Sequence, residues 1–498
     1  MFLFILAPPR RSQIADITLT LPDPAPICRP EHRRRIVAAA VLASSMGFID
    51  SSVTAIALPA IRASLGGTLE QAQWVSGAYL LTLSALILVG GATSDRFGIV
   101  RVFAAGIVTF VVSSMFCMLA QSMDQMNIAR AVQGIGAAFM VPGSMTLIAR
   151  AHPRKERGAA LGLWAAAATA TTAAGPLLGG LLLTFGGPEI WRAVFALNLP
   201  LGIGALWLLW RYTMFDAGLP GTRIDWPGAA LATLALGLMA RALTTEGHTL
   251  PLLAGAVLAS LLFVWRERAT PDPMIRLGMF RNRGFALANL ATLFLYIGVT
   301  GVMFYLPMTA LSVWNVSAFL VTAAFVPVSL LITLVSARAG RWADRFGPGP
   351  LMALGSALVS AGYAGMAWAA PGGHFLTQIV PFMCVVGLGM ALVVAPLTAA
   401  VMEYAIEAEQ GVASGINNAL ARVSGLIAVA LMGRVARWSY GPVTEGMPGF
   451  GLPGAGSAHV SAVGAAFGDI AAVSAVLALA AAVTAAMMGR RQGAAVTR

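Results

Sequence analysis

Apolar residues run through this chain in blocks of about twenty, separated by short clusters of arginine, glycine, proline and acidic residues. A helix needs about that many residues to cross a hydrocarbon core of about 30 Å at 1.5 Å per residue, so each block predicts a transmembrane helix. The blocks lie near 36–58, 72–93, 102–120, 126–149, 158–185, 191–213, 226–244, 249–265, 285–307, 316–337, 349–370, 376–402, 411–436 and 461–488, fourteen in all. The eighth is marginal, reaching only about 25 Å by the same rise. Residues 2–6 are too short for the core of a signal peptide and Pro8 and Pro9 stop them, so 1–35 read as a tail.

Composition sharpens this picture. Of the 498 residues 58% are hydrophobic and only 10% charged, against about 25% charged in an ordinary soluble domain. With a mean hydropathy of +0.80, a soluble enzyme and a disordered protein are both excluded, and an all-α integral membrane protein is expected. The net charge of +12 would suggest nucleic acid in a soluble protein, but these cations sit between the apolar blocks, where they hold loops against anionic lipid headgroups. Of the 32 basic residues, 25 fall in segments on the side of the N-terminus and five (Arg62, Arg192, Arg241, Arg434, Arg437) on the other, while Arg130 and Arg422 lie within blocks. Both termini are therefore expected in the cytoplasm, with the chain a multi-pass protein of the cell membrane.

Several chemistries lack their residues. The only lysine is Lys155, between Arg154 and Glu156, so no phosphate-binding loop ends in Lys and Ser or Thr. The five histidines, His32, His152, His248, His374 and His459, are assigned to tails and loops, which leaves no intramembrane metal cluster or His acid/base pair. Gly134-Ile135-Gly136 lacks the third glycine of a dinucleotide loop. Cys28, Cys117 and Cys384 form no disulfide framework. An enzyme, a metal and a cofactor are not expected.

Of the twenty carboxylates this reading places only one, Asp50, well inside a block. A charge at bilayer depth is costly and marks ion or substrate pathways. Arg130, in the fourth block, enters from the same side and is the natural partner, so the pair can take up or release one proton as access alternates. Each also has a bland reading, a satisfied polar residue for Asp50 and a snorkelling one for Arg130. Arg422 has no acid at three or four residues' spacing and no assigned role. In the fifth block Gly175, Pro176, Gly179 and Gly180 present a smooth face and weaken the helix ladder. Two turns repeat 249 residues apart, one from Gly91 through Asp95, Arg96 and Gly98 to Arg101, the other through Gly340, Asp344, Arg345 and Gly347. Both follow even-numbered blocks, which implies a parallel duplication. In each, the acid is expected at the positive end of the following helix, with glycine allowing the tight turn.

These residues resemble the major facilitator superfamily, and specifically its fourteen-span drug:proton antiporter branch. The repeated turn resembles the superfamily signature between spans two and three; Arg130 through Gln133, Gly134 and Gly136 is similar to its fourth-span motif; Gly175 to Gly180 resembles the antiporter motif of span five. Asp50 to Pro59, Trp191-Arg192 with Asn198-Leu199-Pro200, Phe280-Arg281-Asn282 and Gly411 to Asn418 point to the branch. Ile99 and Val100 stand where the family carries basic residues, and Thr171 replaces the leading glycine of the fifth-span motif. The resemblance implies a six-helix bundle over 36–213, two inserted helices within 214–284, a second six-helix bundle over 285–488 and a short tail at 489–498.

The function so implied is proton-coupled export of amphipathic organic compounds by alternating access, in a monomer whose partners are the substrate, protons and lipid. Phe48, Tyr79, Trp164, Tyr296 and Tyr305 are the expected cavity aromatics. One proton falling through 100 mV supplies about 2.3 kcal/mol, enough to support a steep gradient. The alternatives are an exporter dedicated to one metabolite of the same cell, such as an antibiotic or siderophore, and a non-transporting membrane sensor on the same fold.

Overall fold

A computed structural model describes residues 27–488 except 187, 215, 217, 219–223, 246, 272, 405–409, 442–447 and 455. The expected C-terminal tail and most of the N-terminal one lie outside the described residues. Among the described residues the regular elements are helices and there is no strand. Thirteen helices are long and apolar enough to cross a bilayer. They are α1 (Arg33–Leu65), α2 (Leu69–Phe97), α3 (Ile99–Leu119), α4 (Met123–Ala151), α6 (Trp191–Tyr212), α7 (Trp226–Thr244), α8 (Thr249–Ala269), α9 (Arg283–Ser312), α10 (Ala318–Phe346), α11 (Pro348–Ala369), α12 (Phe375–Glu403), α13 (Gln410–Tyr440) and α14 (Ser457–Ala486). The fifth apolar block forms one continuous helix, α5 (Arg154–Phe185), whose described apolar stretch is Ala174–Phe185.

The helices outrun the apolar blocks because their ends are capped by polar residues that hydropathy does not count. Thr68 and Gln71 make a reciprocal cap at the start of α2, with each backbone N–H bonded to the other's side chain. Ser122 caps α4, Asp225 α7 and Asn282 α9. In α6 the helix breaks at Leu197, dividing Trp191–Ala196 from Asn198–Tyr212 within one span.

Helices α1 to α6 pack on one another, and so do α9 to α14. Between these halves α2 lies against α13, α5 against α10, and α1 against α9. Helix α7 packs on α2, α13 and α8. Small residues set the closest approaches. Gly136 of α4 faces Gly106 of α3, where a Cβ would come within 2.9 Å of backbone oxygen, so the two helices pack backbone to backbone.

Candidate functional site

Asp50 in α1 is buried without exposure, and Arg130 in α4 is 1% exposed. Arg130 Nη1 donates to Asp50 Oδ2 at 2.5 Å and to Gln133 Oε1 at 2.5 Å, while its Nε donates to the Val75 carbonyl at 2.8 Å. Gln133 Nε2 in turn donates to Asp50 Oδ1 at 2.9 Å and to Ser114 Oγ at 2.8 Å. Asn198, at the break in α6, donates to Asp50 Oδ1 at 3.3 Å and to Ser114 Oγ at 3.2 Å. Five helices, α1, α2, α3, α4 and α6, thus bring one carboxylate and its cation together. Bonds of this kind are what a buried charge pair requires, since desolvation otherwise outweighs the Coulomb attraction. The Tyr79 ring covers the guanidinium, with Cζ 4.5 Å from its centroid.

A cavity of about 1,180 Å³ lies between the two halves. It reaches the face that carries the start of α1, where Asp95, Arg268, Pro271 and Arg276 line its mouth, and ends at Gly47, Phe48, Tyr79 and Arg422. Its wall is amphipathic: Leu83, Ile87, Val141 and Trp164 alternate with Ser44, Thr146 and Asn418. Asp50 is not on this wall; Tyr79 is, with its ring over Arg130. Of the five expected cavity aromatics, Phe48, Tyr79 and Trp164 line the cavity. Tyr296 and Tyr305 do not. Tyr305 is buried at the junction of the halves, donating to the Val429 carbonyl at 2.8 Å and accepting from Gln73 Nε2 at 2.8 Å.

The opposite face is closed by bonds between the halves. Besides Gln73 and Tyr305, Arg437 of α13 donates to Gln73 Oε1 at 3.4 Å. Arg62 of α1 donates to the Phe450 carbonyl, and the Phe319 amide of α10 donates to Thr184 Oγ1 of α5 at 3.1 Å. The α5 glycines stand at this seam. A Cβ on Gly175 would lie 2.7 Å from Ser52 Oγ, and one on Gly179 2.3 Å from Val53, both on α1 beside Asp50. Gly180 faces the other way, where a Cβ would lie 2.3 Å from Thr322 Oγ1 of α10. Pro176 is buried within the same helix.

The repeated turns sit at the cavity face, at the ends of α2 and α10. Gly98 and Gly347 hold φ of +94° and +83°, a region that glycine adopts at little cost. Gly91 and Gly340 lie one to two turns before them in the same helices, and Arg96 and Arg345 rest over the rings of Phe97 and Phe346. The acid at the start of α3 is not Asp95, contrary to the sequence-based expectation. Asp95 belongs to the last turn of α2, and Asp216, from the segment after α6, accepts from the Ile99 amide at 2.6 Å and pairs with Arg150 at 3.0 Å. Asp344 likewise lies within α10, and α11 opens with Pro348. Arg101 is in the first turn of α3.

Four polar residues of consequence stood outside the sequence-based assignment. Ser114 and Asn198 complete the Asp50 shell; Asn198 was noted only as part of a family motif. Asp216 was hidden in a linker. Asp469 lies about 18 Å along α14 from Ser457, so Asp50 is not the only deep carboxylate. It sits on the stripe of Ala465, Leu479 and Val476, the exposed face of that helix. His459 is buried in the first turn of α14 rather than in a loop, its Nε2 3.0 Å from the Leu452 carbonyl.

Comparison with known proteins bears on the family and the fold. The family model of the Major Facilitator Superfamily matches residues 40–429. The chain is 29% identical over 403 residues to the methylenomycin A resistance protein of Bacillus subtilis (strain 168), covering 79% of this chain and 85% of that one. It is 33% identical over 428 residues to the cephamycin export protein CmcT of Amycolatopsis lactamdurans, covering 82% and 86%. It is 30% identical over 402 residues to the multidrug resistance protein Stp of Mycobacterium tuberculosis (strain CDC 1551 / Oshkosh), covering 79% and 74%. Among solved structures, a D-xylose-proton symporter superposes with a TM-score of 0.64 at 16% identity, over 91% of this chain and 97% of that one, a likeness of fold.

Proposed function

This chain belongs to the major facilitator superfamily, and we propose that it is a proton-driven exporter of amphipathic organic compounds working by alternating access. The observation that carries the reading is the buried Asp50–Arg130 pair at 2.5 Å, set behind Tyr79 at the closed end of an amphipathic cavity. Relatives named for drug resistance and antibiotic export support the direction and the class of cargo. The excess of basic residues on the cavity face supports a cytoplasmic mouth and cytoplasmic termini. Residues 36–213 and 285–488 act as the two moving bodies.

In this reading the mouth of the cavity is the cytoplasmic one, and Asp50 is bound to Arg130 in the conformation described. A proton arriving at Asp50 when the halves part on the outer side neutralises it. Arg130 then loses its counter-charge while keeping its bonds to Gln133 and the Val75 carbonyl. Return to the cytoplasmic-facing state restores the ion pair and releases the proton inward. Tyr79 separates the proton site from the cargo and lets each state present one of them at a time.

The test is flux in proteoliposomes under an imposed pH gradient. Wild type should accumulate a fluorescent amphipath against its gradient, and Asp50→Asn should bind it but transport it only downhill. Undiminished gradient-driven uptake by Asp50→Asn moves the proton site elsewhere. Relatives named for a single antibiotic favour a second reading, an exporter dedicated to one compound. A panel of unrelated amphipaths separates the two by breadth.

A further inference from the structure

Helix α13 presents a stripe to the cavity: Val412, Gly415, Asn418 and Arg422, at three- and four-residue spacing. Arg422 stands at the closed end of the cavity and is partly buried. It makes no hydrogen bond or ion pair with the described residues. The carboxylates on the wall, Asp95, Asp225 and Glu267, stand at the mouth. Two of them are already engaged: Asp225 accepts from Arg266 at 3.1 Å, and Glu267 from the Ile275 amide at 2.8 Å. Asp50 lies off the wall and is bound to Arg130. The closed end of the cavity therefore holds one uncompensated positive charge, flanked by the apolar faces of Phe48, Leu83 and Trp164. The Trp164 indole N–H is committed to Ser44 Oγ at 2.9 Å, which leaves the guanidinium as the strongest donor at that end.

A guanidinium at the closed end of a largely apolar cavity with no anion beside it favours a ligand that brings one, through a charge-assisted hydrogen bond. We infer that the compounds this protein carries bear an acidic group, ionised at neutral pH, that pairs with Arg422 while a flat or aliphatic body rests on Phe48, Leu83 and Trp164. This rests on the exporter reading for transport, but not for binding. It also has an electrical consequence. Exchange of one inbound proton for one outbound monoanion moves two positive charges inward per cycle, whereas a neutral cargo moves one, so anion export draws twice on the membrane potential.

A matched series tests it: 2-naphthalenesulfonate, 2-naphthalenesulfonamide and (2-naphthylmethyl)trimethylammonium, which share a body and carry negative, zero and positive charge. Binding to the full chain in detergent is read by equilibrium dialysis, and flux in proteoliposomes at fixed pH gradient with and without a potassium-valinomycin potential. The sulfonate should bind tightest. Arg422→Gln should weaken the sulfonate by about tenfold or more, as expected for loss of a hydrogen bond to a charged group. The same substitution should leave the sulfonamide within about twofold, and Arg422→Lys should recover part of the loss. An inside-negative potential should accelerate sulfonate export more than sulfonamide export. Equal or tighter binding of the trimethylammonium compound to wild type overturns the inference, as does a sulfonate affinity unmoved in Arg422→Gln. If that variant does not fold, the order of the three probes on wild type decides. Proton-driven flux of the cation alone leaves the exporter reading standing and removes this one; Arg422-dependent binding of the sulfonate without proton-driven flux does the reverse.

Discussion

The closure of the outer face turns on a glycine. Gly433 of α13 lies so close to α2 that a Cβ would sit 1.4 Å from Gln73 Nε2 and 2.5 Å from Tyr305 Oη. Gly433→Ala therefore cannot coexist with the Gln73 to Tyr305 hydrogen bond of 2.8 Å. Displacing a buried amide from its partner costs about 1–3 kcal/mol, and overfilling a packed contact about 1–3 kcal/mol more. The clash with Gln73 falls on the outer-closed state, because the parted halves no longer press α13 onto α2, whereas the approach to Tyr305 of α9 lies within one half. A bias of about 2–6 kcal/mol shifts the balance between the states by about 30-fold to about 20,000-fold. Spin labels at Ala63 and Ser317, exposed at the outer ends of the two halves, read the shift as a longer distance by pulsed electron resonance. The background carries Ala at the native Cys28, Cys117 and Cys384. Gly433→Ala should populate the longer distance, and adding Gln73→Ala should bring back the shorter one. A folded Gly433→Ala protein with the wild-type distance distribution would refute the idea that this contact holds the outer face shut.

Other predictions follow from single contacts. Asp50→Asn should abolish proton-linked flux, whereas Asp469→Asn, on the exposed stripe of α14, should leave it within about twofold; proteoliposome assays side by side measure both. Asp216→Ala removes the acceptor of the Ile99 amide and the partner of Arg150, at a cost of about 1–3 kcal/mol, and should lower the unfolding midpoint in a thermal scan, while Asp95→Ala should not. Glu189, outside the spans, is held below the usual carboxylate range by the Ser64 hydroxyl at 2.8 Å and by Arg192 at 3.1 Å. A lowered value means the tie is complete above the unfolded carboxylate range and lost as pH falls through the folded one. Hydrogen exchange at residues 188–192 should therefore accelerate only below about pH 4.

The helices were legible because a bilayer leaves a chain little choice: about twenty apolar residues must satisfy their own backbone, and a helix does so. Asp50 and Arg130 stood out for the same reason, as charges where charge is expensive. Residues whose role depends on which helices touch were harder to read. Asp216 reaches the start of α3 across 117 residues of sequence, and no local pattern ties a linker acid to a distant amide. Asp95 was assigned that duty because it precedes the helix in sequence, although it belongs to the preceding helix in space. Tyr305 and Tyr79 look alike as aromatics in apolar runs. Only the packing of α9 against α13, with the bond from Gln73 of α2, sends one to the seam and the other to the cavity. Gly180 could not be told from Gly175 and Gly179 by composition, yet it faces the opposite half.

Tyr79 has a face on each compartment, its ring over Arg130 and part of it on the cavity wall. The remaining wall residues can therefore drift through substitution without touching Asp50, the acid proposed to bind the proton. Lineages carrying this arrangement can acquire a new spectrum of exported poisons while inheriting their power supply intact, and variants that alter resistance without silencing it should cluster on the wall of the cavity.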